Sequence, residues 1–330
     1  VFFNKLNKKP LPDLVVSVPT YNRSRLLDAF LQAHAPLFAG YNVPLHIYDN
    51  ASTDDTEQVV QQWIRAFPII RYIRQSANVG PIKNIWDAIN LPDARYVWPI
   101  GDGNQISEEC LKIAIMQISL DVDAIVFNLP SSKFGLMNNT CNEGVLDNAD
   151  VVLVNLKDVL SCLAATVFSS RVIKSFDVTL YEHSCYQQMC CVVDYCAKNN
   201  FKLYWCQAVS IQGLAAASTL KRNWSTTSSA IEIGAVNWVQ SINMLPYDET
   251  IKRLASVNTW FFNWRFLVVM RSHGAISLGL VIKNFSYILK AAPKNVHTVP
   301  FLFFCCLIPQ PIVRWTINGF RVIKTFIGRS

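Results

Sequence analysis

The chain has 330 residues, enough for one large domain and an appendage, and 51% of them are hydrophobic, which excludes a disordered or low-complexity protein. No uncharged apolar run reaches the roughly 20 residues that a spanning helix needs, so a membrane-surface protein fits the balance better than a membrane-crossing one. The net charge of +7 is uneven: no acidic residue follows Glu249, while eleven lysines and arginines lie between Lys252 and Arg329, interleaved with Phe, Trp, Ile and Leu, a mixture suited to anionic lipid rather than to nucleic acid.

Residues 1–13 carry three lysines without an apolar core or a small-residue cleavage site, and are expected as a tail rather than a secretory signal. Leu14 to Val18, closed by Pro19, reads as a strand. Leu26, Leu27, Phe30, Leu31 and Leu37 then recur at helical spacing. Val43 to Tyr48 is the next strand, followed by a helix opening at Asp54, where Glu57 three residues on suggests a capping box and Val59, Val60, Trp63 and Ile64 share a face. Ile69 to Ile73 is a third strand, Pro81 to Asn90 a short helix, and Tyr96 to Ile100 a fourth strand. A helix capped by Ser107, with Glu108 and Glu109 at its positive end, precedes a strand over Asp123 to Leu129. This alternation implies an α/β domain with a mainly parallel sheet. Residues 131–212 give no clear pattern, and the Ser- and Thr-rich stretch 218–229 reads as a linker.

In an open parallel sheet, ligands bind beyond the carboxyl ends of the strands. Four such places carry polar residues: Pro19-Thr20-Tyr21-Asn22, Asp49-Asn50, Asn78-Val79-Gly80 and Asp102-Gly103-Asn104. There is no G-x-G-x-x-G after the first strand, no G-x-x-x-x-G-K-[ST] and no H-E-x-x-H, so dinucleotide, P-loop and zincin chemistry lose support. His34 and His46 sit among apolar neighbours and are expected to be structural. Ten cysteines lack a framework, and the densest group, Cys185, Cys190, Cys191, Cys196 and Cys206, contains no C-x-x-C pair, which favours reduced thiols of a cytoplasmic protein.

The runs V-S-V-P-T-Y-N-R, I-Y-D-N-A-S-T-D-D-T, N-V-G-P-I-K-N and Y-V-W-P-I-G-D-G-N, in this order over about residues 14–120, resemble family 2 glycosyltransferases of the GT-A fold. Among these, the transferases that build bacterial O-antigen and capsular polysaccharide, such as abequosyltransferases, look most alike. The resemblance implies a Rossmann-like sheet flanked by helices, a nucleotide-diphosphate sugar donor and no nucleic-acid partner. It places Pro19, Thr20, Tyr21 and Asp49 in the nucleotide pocket, and Asn78, Gly80 and Asn84 along the diphosphate and ribose. Asp102 would meet the ribose or, with Asn104, a Mg2+ or Mn2+ ion, although Gly103 replaces an expected carboxylate and leaves a weak set. Without a metal, the departing diphosphate would need cations, for which Arg23, Lys83 and Arg74 are candidates. Glu182, beside His183, is the candidate general base for the acceptor hydroxyl, with Asp177 as its rival.

The expected organisation is a tail (1–13), a GT-A domain (14–217) and a basic helical membrane or acceptor region (218–330). Trp260 to Met270, Ile276 to Ala292 and Ile312 to Ile327 read as interfacial helices. The most hydrophobic stretch, Val299 to Ile308, is bounded by Pro300 and Pro309 and is about half the length needed to span. The expected function is transfer of a sugar to a lipid-linked glycan by a peripheral protein on the cytoplasmic face of the inner membrane. The alternative is a catalytically silent scaffold that binds nucleotide sugar, which the missing carboxylates at Gly103 and Asn104 would favour.

Overall fold

The computed structural model describes residues 13–130, 141–217 and 227–317. The expected tail up to residue 12, residues 218–226 of the Ser- and Thr-rich stretch, and Phe320, Arg321, Lys324 and Phe326 lie outside the described residues.

The alternating first half forms β1 (Leu14–Thr20), α1 (Ser24–Gly40), β2 (Leu45–Asp49), α2 (Thr56–Ala66), β3 (Ile70–Arg74), α3 (Pro81–Asn90), β4 (Tyr96–Pro99), β5 (Asn104–Gln105), α4 (Glu108–Ser119) and β6 (Ala124–Asn128). Ser107 caps α4 as expected, its hydroxyl accepting from the Cys110 amide at 3.2 Å. The expected capping box of α2 does not form. Asp54 instead accepts from the Ser24 amide at 2.9 Å, tying α2 to the start of α1, and Glu57 turns to Arg74.

The segment without a readable pattern is regular: β7 (Gly144–Leu146), α5 (Ala149–Leu160), β8 (Thr166–Ser169), α6 (Ser170–Ser175), α7 (Gln187–Lys198), β9 (Leu203–Ser210) and β10 (Gln212–Gly213). The main sheet runs β3-β2-β1-β4-β8-β6-β9-β7. β1 to β4 are parallel, as is β6 with β9, whereas β8 lies antiparallel between β4 and β6, and β7 antiparallel beside β9. A four-residue strand bordered by helical sequence has too little periodicity to be read, which is why β8 escapes the pattern.

Alternate strand residues feed two cores, as a pleat demands. Val16, Val18, Trp98, Ile125 and Phe127 face α1, α2 and α4, while Val15, Val97, Val126 and Trp205 face α3, α5 and α7. The second core continues into the C-terminal helices through Trp238, Ile242, Phe261, Leu267, Met270 and Ile288. The Tyr247 hydroxyl donates to Val193 of α7 at 2.8 Å, and Tyr186 donates to Ile233 at 3.1 Å. Two of the helices expected to be interfacial, Trp260 to Met270 and Ile276 to Ala292, therefore spend much of their apolar surface on the domain itself. Among the described residues no single helix is long and apolar enough to cross a membrane; only Thr298–Leu307 and Gln310–Ile317 taken together reach that composition, and they are bent by 104°.

Gly234 marks how tightly the C-terminal part is joined, because a Cβ there would lie 2.0 Å from the Phe261 ring. Gly234→Ala should lower the unfolding free energy by about 1–3 kcal/mol through overpacking, read as one shifted thermal transition by circular dichroism. A separate early transition that left the sheet intact would contradict the shared core. A second prediction concerns acid. Burial holds the His34 imidazole below its ordinary value, and burial with the nearby Arg71 lowers His46 to about 4. A histidine whose folded pKa is depressed contributes stability that is present above about 6.5 and lost as the pH falls toward the folded value. The urea midpoint should therefore drop between pH 6.5 and 4, and His46→Gln should flatten that slope.

Candidate active site

The carboxyl ends of β1, β2, β3 and β4 lie side by side, and the loops that leave them are stitched together. Parallel pairing continues past the strands: Asn50 N–H donates to Thr20 O at 3.0 Å, Gln75 N–H to Asp49 O at 2.9 Å and Ile100 N–H to Ser17 O at 2.8 Å. Asn22, at φ 50°, turns the chain out of β1; its amide donates to Ser52 Oγ at 2.8 Å and its Oδ1 accepts from the Thr53 amide at 2.7 Å. An asparagine tolerates this left-handed conformation better than most residues.

Asp102, at the end of β4 and 2% exposed, is the centre of the first cluster. Its Oδ1 accepts from Arg23 Nη1 at 2.9 Å and its Oδ2 from the Thr20 hydroxyl at 3.3 Å. The Arg23 side chain remains about a third exposed, and Asp102 is its one ionic partner among the described residues. Tyr21, 40% exposed, lies between Thr20 and Arg23 in sequence, while Pro19 lies inside the strand beside Tyr48.

Asp49 behaves differently. It is fully buried, its Oδ1 accepting from the Ser52 amide at 3.0 Å and from the Ser52 hydroxyl, its Oδ2 from the Tyr72 hydroxyl at 2.6 Å, with Arg74 Nε 3.8 Å away. Burial and the Asp49 carboxylate push the Tyr72 phenol well above its ordinary value, so it stays a donor. Asp49 thus braces the loop after β2 from within. Asn50, which the sequence placed beside Asp49 without a role, links that loop to the next: its Nδ2 donates to Asn78 Oδ1 at 3.0 Å and its Oδ1 accepts from the Val79 amide at 2.8 Å. Asn78 Oδ1 also accepts from the Gly80 amide at 2.9 Å, and Gly80 adopts φ 85°, which a side chain would oppose, before Pro81 starts α3.

Asn84 is buried and donates to Tyr48 O at 3.1 Å, so it fastens α3 to β2. Lys83 pairs with Asp87, and Arg74 with Glu57 and with Ser52 O at 2.8 Å. Of the three candidate cations, only Arg23 is bonded to Asp102; Lys83 and Arg74 are paired with other carboxylates. Tyr72 and Ser52 carried no sequence signal of their part in the site beyond their places in β3 and in the D-N-A-S-T-D run that also holds Asn50.

Beyond Asp102 the chain is clamped. Leu214 N–H donates to Gly103 O at 2.9 Å, β10 pairs with β5, and the Ile106 amide donates to His34 Nε2 at 2.9 Å. His34, with its other ring nitrogen 2.8 Å from Phe30 O, is the structural histidine its neighbours imply. Asn104 folds back on Gly101, where a Cβ would meet Asn104 Oδ1 at 3.0 Å. Among the described residues, the loop offers a divalent cation the side-chain oxygens of Asp102 and Asn104 and no acidic cluster. Hard cations draw on several oxygens, yet Asp102 already serves Arg23 and Thr20, and no three His, Cys, Asp or Glu come together among the described residues.

Glu182 and His183 lie on the exposed turn before α7, 3.2 Å from one another. No hydrogen bond among the described residues joins either to Asp102, Arg23 or Thr20. Asp177 caps the turn ahead of them, accepting from the Thr179 amide at 3.0 Å. The different settings of the two carboxylates lead to a prediction. Asp49→Ala leaves the Tyr72 hydroxyl and the Ser52 amide unpaired and should cost about 1–3 kcal/mol for each buried group, read in urea denaturation. Glu182→Gln, on the surface, should stay within about 0.5 kcal/mol of the parent.

Comparison with known proteins agrees with this arrangement. Residues 15–142 match the model described as Glycosyl transferase family 2. Abequosyltransferase RfbV of Salmonella typhimurium (strain LT2) is 35% identical over 114 residues, which are 33% of this chain and 33% of that protein, so the likeness spans about a third of the relative's length. The S. aureus TarS 1-349 crystal structure superposes with TM-score 0.56 at 16% identity, covering 93% of this chain and 91% of that one. Mannosyltransferase PcManGT from Pyrobaculum calidifontis, solved in complex with GDP-Man and Mn2+, gives TM-score 0.55 at 13% identity, covering 94% and 88%. The chain has the GT-A fold, and its segment 15–142, which carries the clusters around Asp49 and Asp102, matches the model of glycosyl transferase family 2.

Proposed function

We propose that this protein is a glycosyltransferase that moves a sugar from a nucleotide-diphosphate sugar to a lipid-linked glycan in bacterial O-antigen or capsule synthesis, working as a peripheral protein on the cytoplasmic face of the inner membrane. The observation that carries the reading is the Thr20–Asp102–Arg23 cluster at the carboxyl ends of β1 and β4, inside the segment that matches the family.

In the reaction an acceptor hydroxyl oxygen bonds to the anomeric carbon, the bond from that carbon to the diphosphate breaks, and the nucleoside diphosphate leaves with the electron pair. Negative charge grows on the leaving phosphate, and preorganised donors at that point lower the barrier. Arg23 suits this role: Asp102 holds Nη1, which orients the fork and leaves its other donors for phosphate oxygens. Tyr21 supplies an exposed ring for the base. Asp49, Asn50, Asn78 and Gly80 shape the loops around the nucleotide, and Asn84 fixes α3 beneath them. Glu182 is assigned to take the acceptor proton, and the lipid-linked acceptor accords with the basic C-terminal helices.

The test is calorimetry of UDP, GDP, CDP and TDP, each with and without Mn2+, on the parent, Arg23→Ala and Asp49→Asn. One nucleotide should bind selectively, with affinity lost in Arg23→Ala and no dependence on Mn2+. A requirement for Mn2+ would overturn the role of Arg23, and binding of no nucleotide would remove the transferase reading. In turnover with the matched donor, Glu182→Gln should reduce kcat by about 10²–10⁴-fold with nucleotide affinity unchanged, the size expected for a general base. An unaltered kcat would move that role to another group.

A further inference from the structure

Away from the crevice, in the C-terminal region, lies a pocket of about 470 Å3 lined by the helices Glu249–Ala255 and Phe285–Ala291 and by Lys294. Four cations, Lys252, Arg253, Lys290 and Lys294, line it against one carboxylate, Glu249. Lys252 is the most enclosed, with 16% of its side chain exposed, and its partner Glu249, at 3.2 Å, reaches out into water with 90% exposed. The side chains of Arg253, Lys290 and Lys294 make no hydrogen bond or ion pair with a described residue. Gathering four cations in one concavity raises their mutual repulsion, which a bound anion would relieve.

The surroundings narrow the choice of anion. Met244, Leu254 and Leu289 are exposed next in sequence to the lining residues Asn243, Arg253 and Lys290. The following helix, Thr298–Leu307, touches this one through the Phe285–Phe303 ring contact and exposes Phe304 and Leu307, with Ile312 and Trp315 exposed beyond it. A soluble phosphate would satisfy the cations and leave these apolar groups in water. A lipid headgroup satisfies both, its phosphate among the cations and its acyl boundary against the rim. We propose that this pocket docks the phosphate of an anionic membrane lipid and seats the C-terminal helices on the bilayer surface. The inference rests on the membrane part of the function proposed above and is independent of the transfer chemistry.

The experiment is sedimentation of the full chain with vesicles of phosphatidylcholine alone or mixed with phosphatidylglycerol. The parent should bind only the mixed vesicles, and added salt should weaken binding. Each cation near an anionic surface is worth about fivefold, so Arg253→Glu with Lys290→Glu should reduce partitioning by more than about twentyfold. Lys112→Glu, on α4 across the sheet, should leave it unchanged. Both pocket positions are exposed, so an unshifted thermal transition will show that the double variant is folded. Equal binding to both vesicles, or a double variant that binds as the parent does, would overturn the proposal. So would calorimetric binding of inorganic pyrophosphate that the double variant loses while mixed vesicles bind nothing, because the pocket would then serve a soluble phosphate. Nucleotide binding at the crevice is read separately: its absence beside intact lipid discrimination would sink the transferase reading and leave this one standing.

Discussion

A carboxylate buried at the carboxyl end of a parallel strand must find donors, and that requirement arranges the whole crevice of this protein. Asp49 draws in Ser52 and Tyr72, and Asp102 draws in Thr20 and Arg23. Because those donors come from neighbouring strands and loops, satisfying each charge also fixes the loops around it. An unpaired buried carboxylate would cost several kcal/mol, so the loop positions are not free to drift. Asn50 and Asn78 extend the same logic to the loop before α3 with neutral groups.

The two carboxylates end in different states. Asp49 is enclosed by its donors and acts as a brace, whereas Asp102 holds an arginine that still faces outward. A pair of this kind presents positive charge at the mouth of the crevice without several acidic ligands. The absence of carboxylates at Gly103 and Asn104 then ceases to be a defect of the site: the short residues there let the chain double back, with Asn104 against Gly101 and Leu214 bonded to Gly103.

The C-terminal helices resolve a competition between two uses of apolar surface. Most of it is buried against α5 and α7, because a shared core removes it from water permanently. What remains outside is small and local: a basic pocket with exposed Met244, Leu254 and Leu289 nearby, and the side chains around Phe304 and Trp315. An amphipathic pattern in sequence reports that one face is apolar, and both a bilayer and a neighbouring helix satisfy it.

The sequence by itself determined the parallel half of the sheet, since strands and helices there follow one another with clean periodicity, and the places where polar residues leave the strands. Those are short-range properties, set by residues within a turn or a pleat of each other. It also contained Pro19, Thr20, Tyr21, Asp49, Asn78, Gly80 and Asp102 as the residues at those strand ends, with Arg23 named as a cation and Asn84 by resemblance. Only the tertiary structure decided their division of labour: that Asn84 serves the fold, that Lys83 and Arg74 are paired with Asp87 and Glu57, and that Arg23 meets Asp102 across 79 residues. The antiparallel insertion of β8 and the burial of the C-terminal helices were likewise undecided by pattern. The reason is common to all of these: pairing, burial and charge compensation between residues distant in the chain depend on which surfaces meet, and local periodicity carries no record of that.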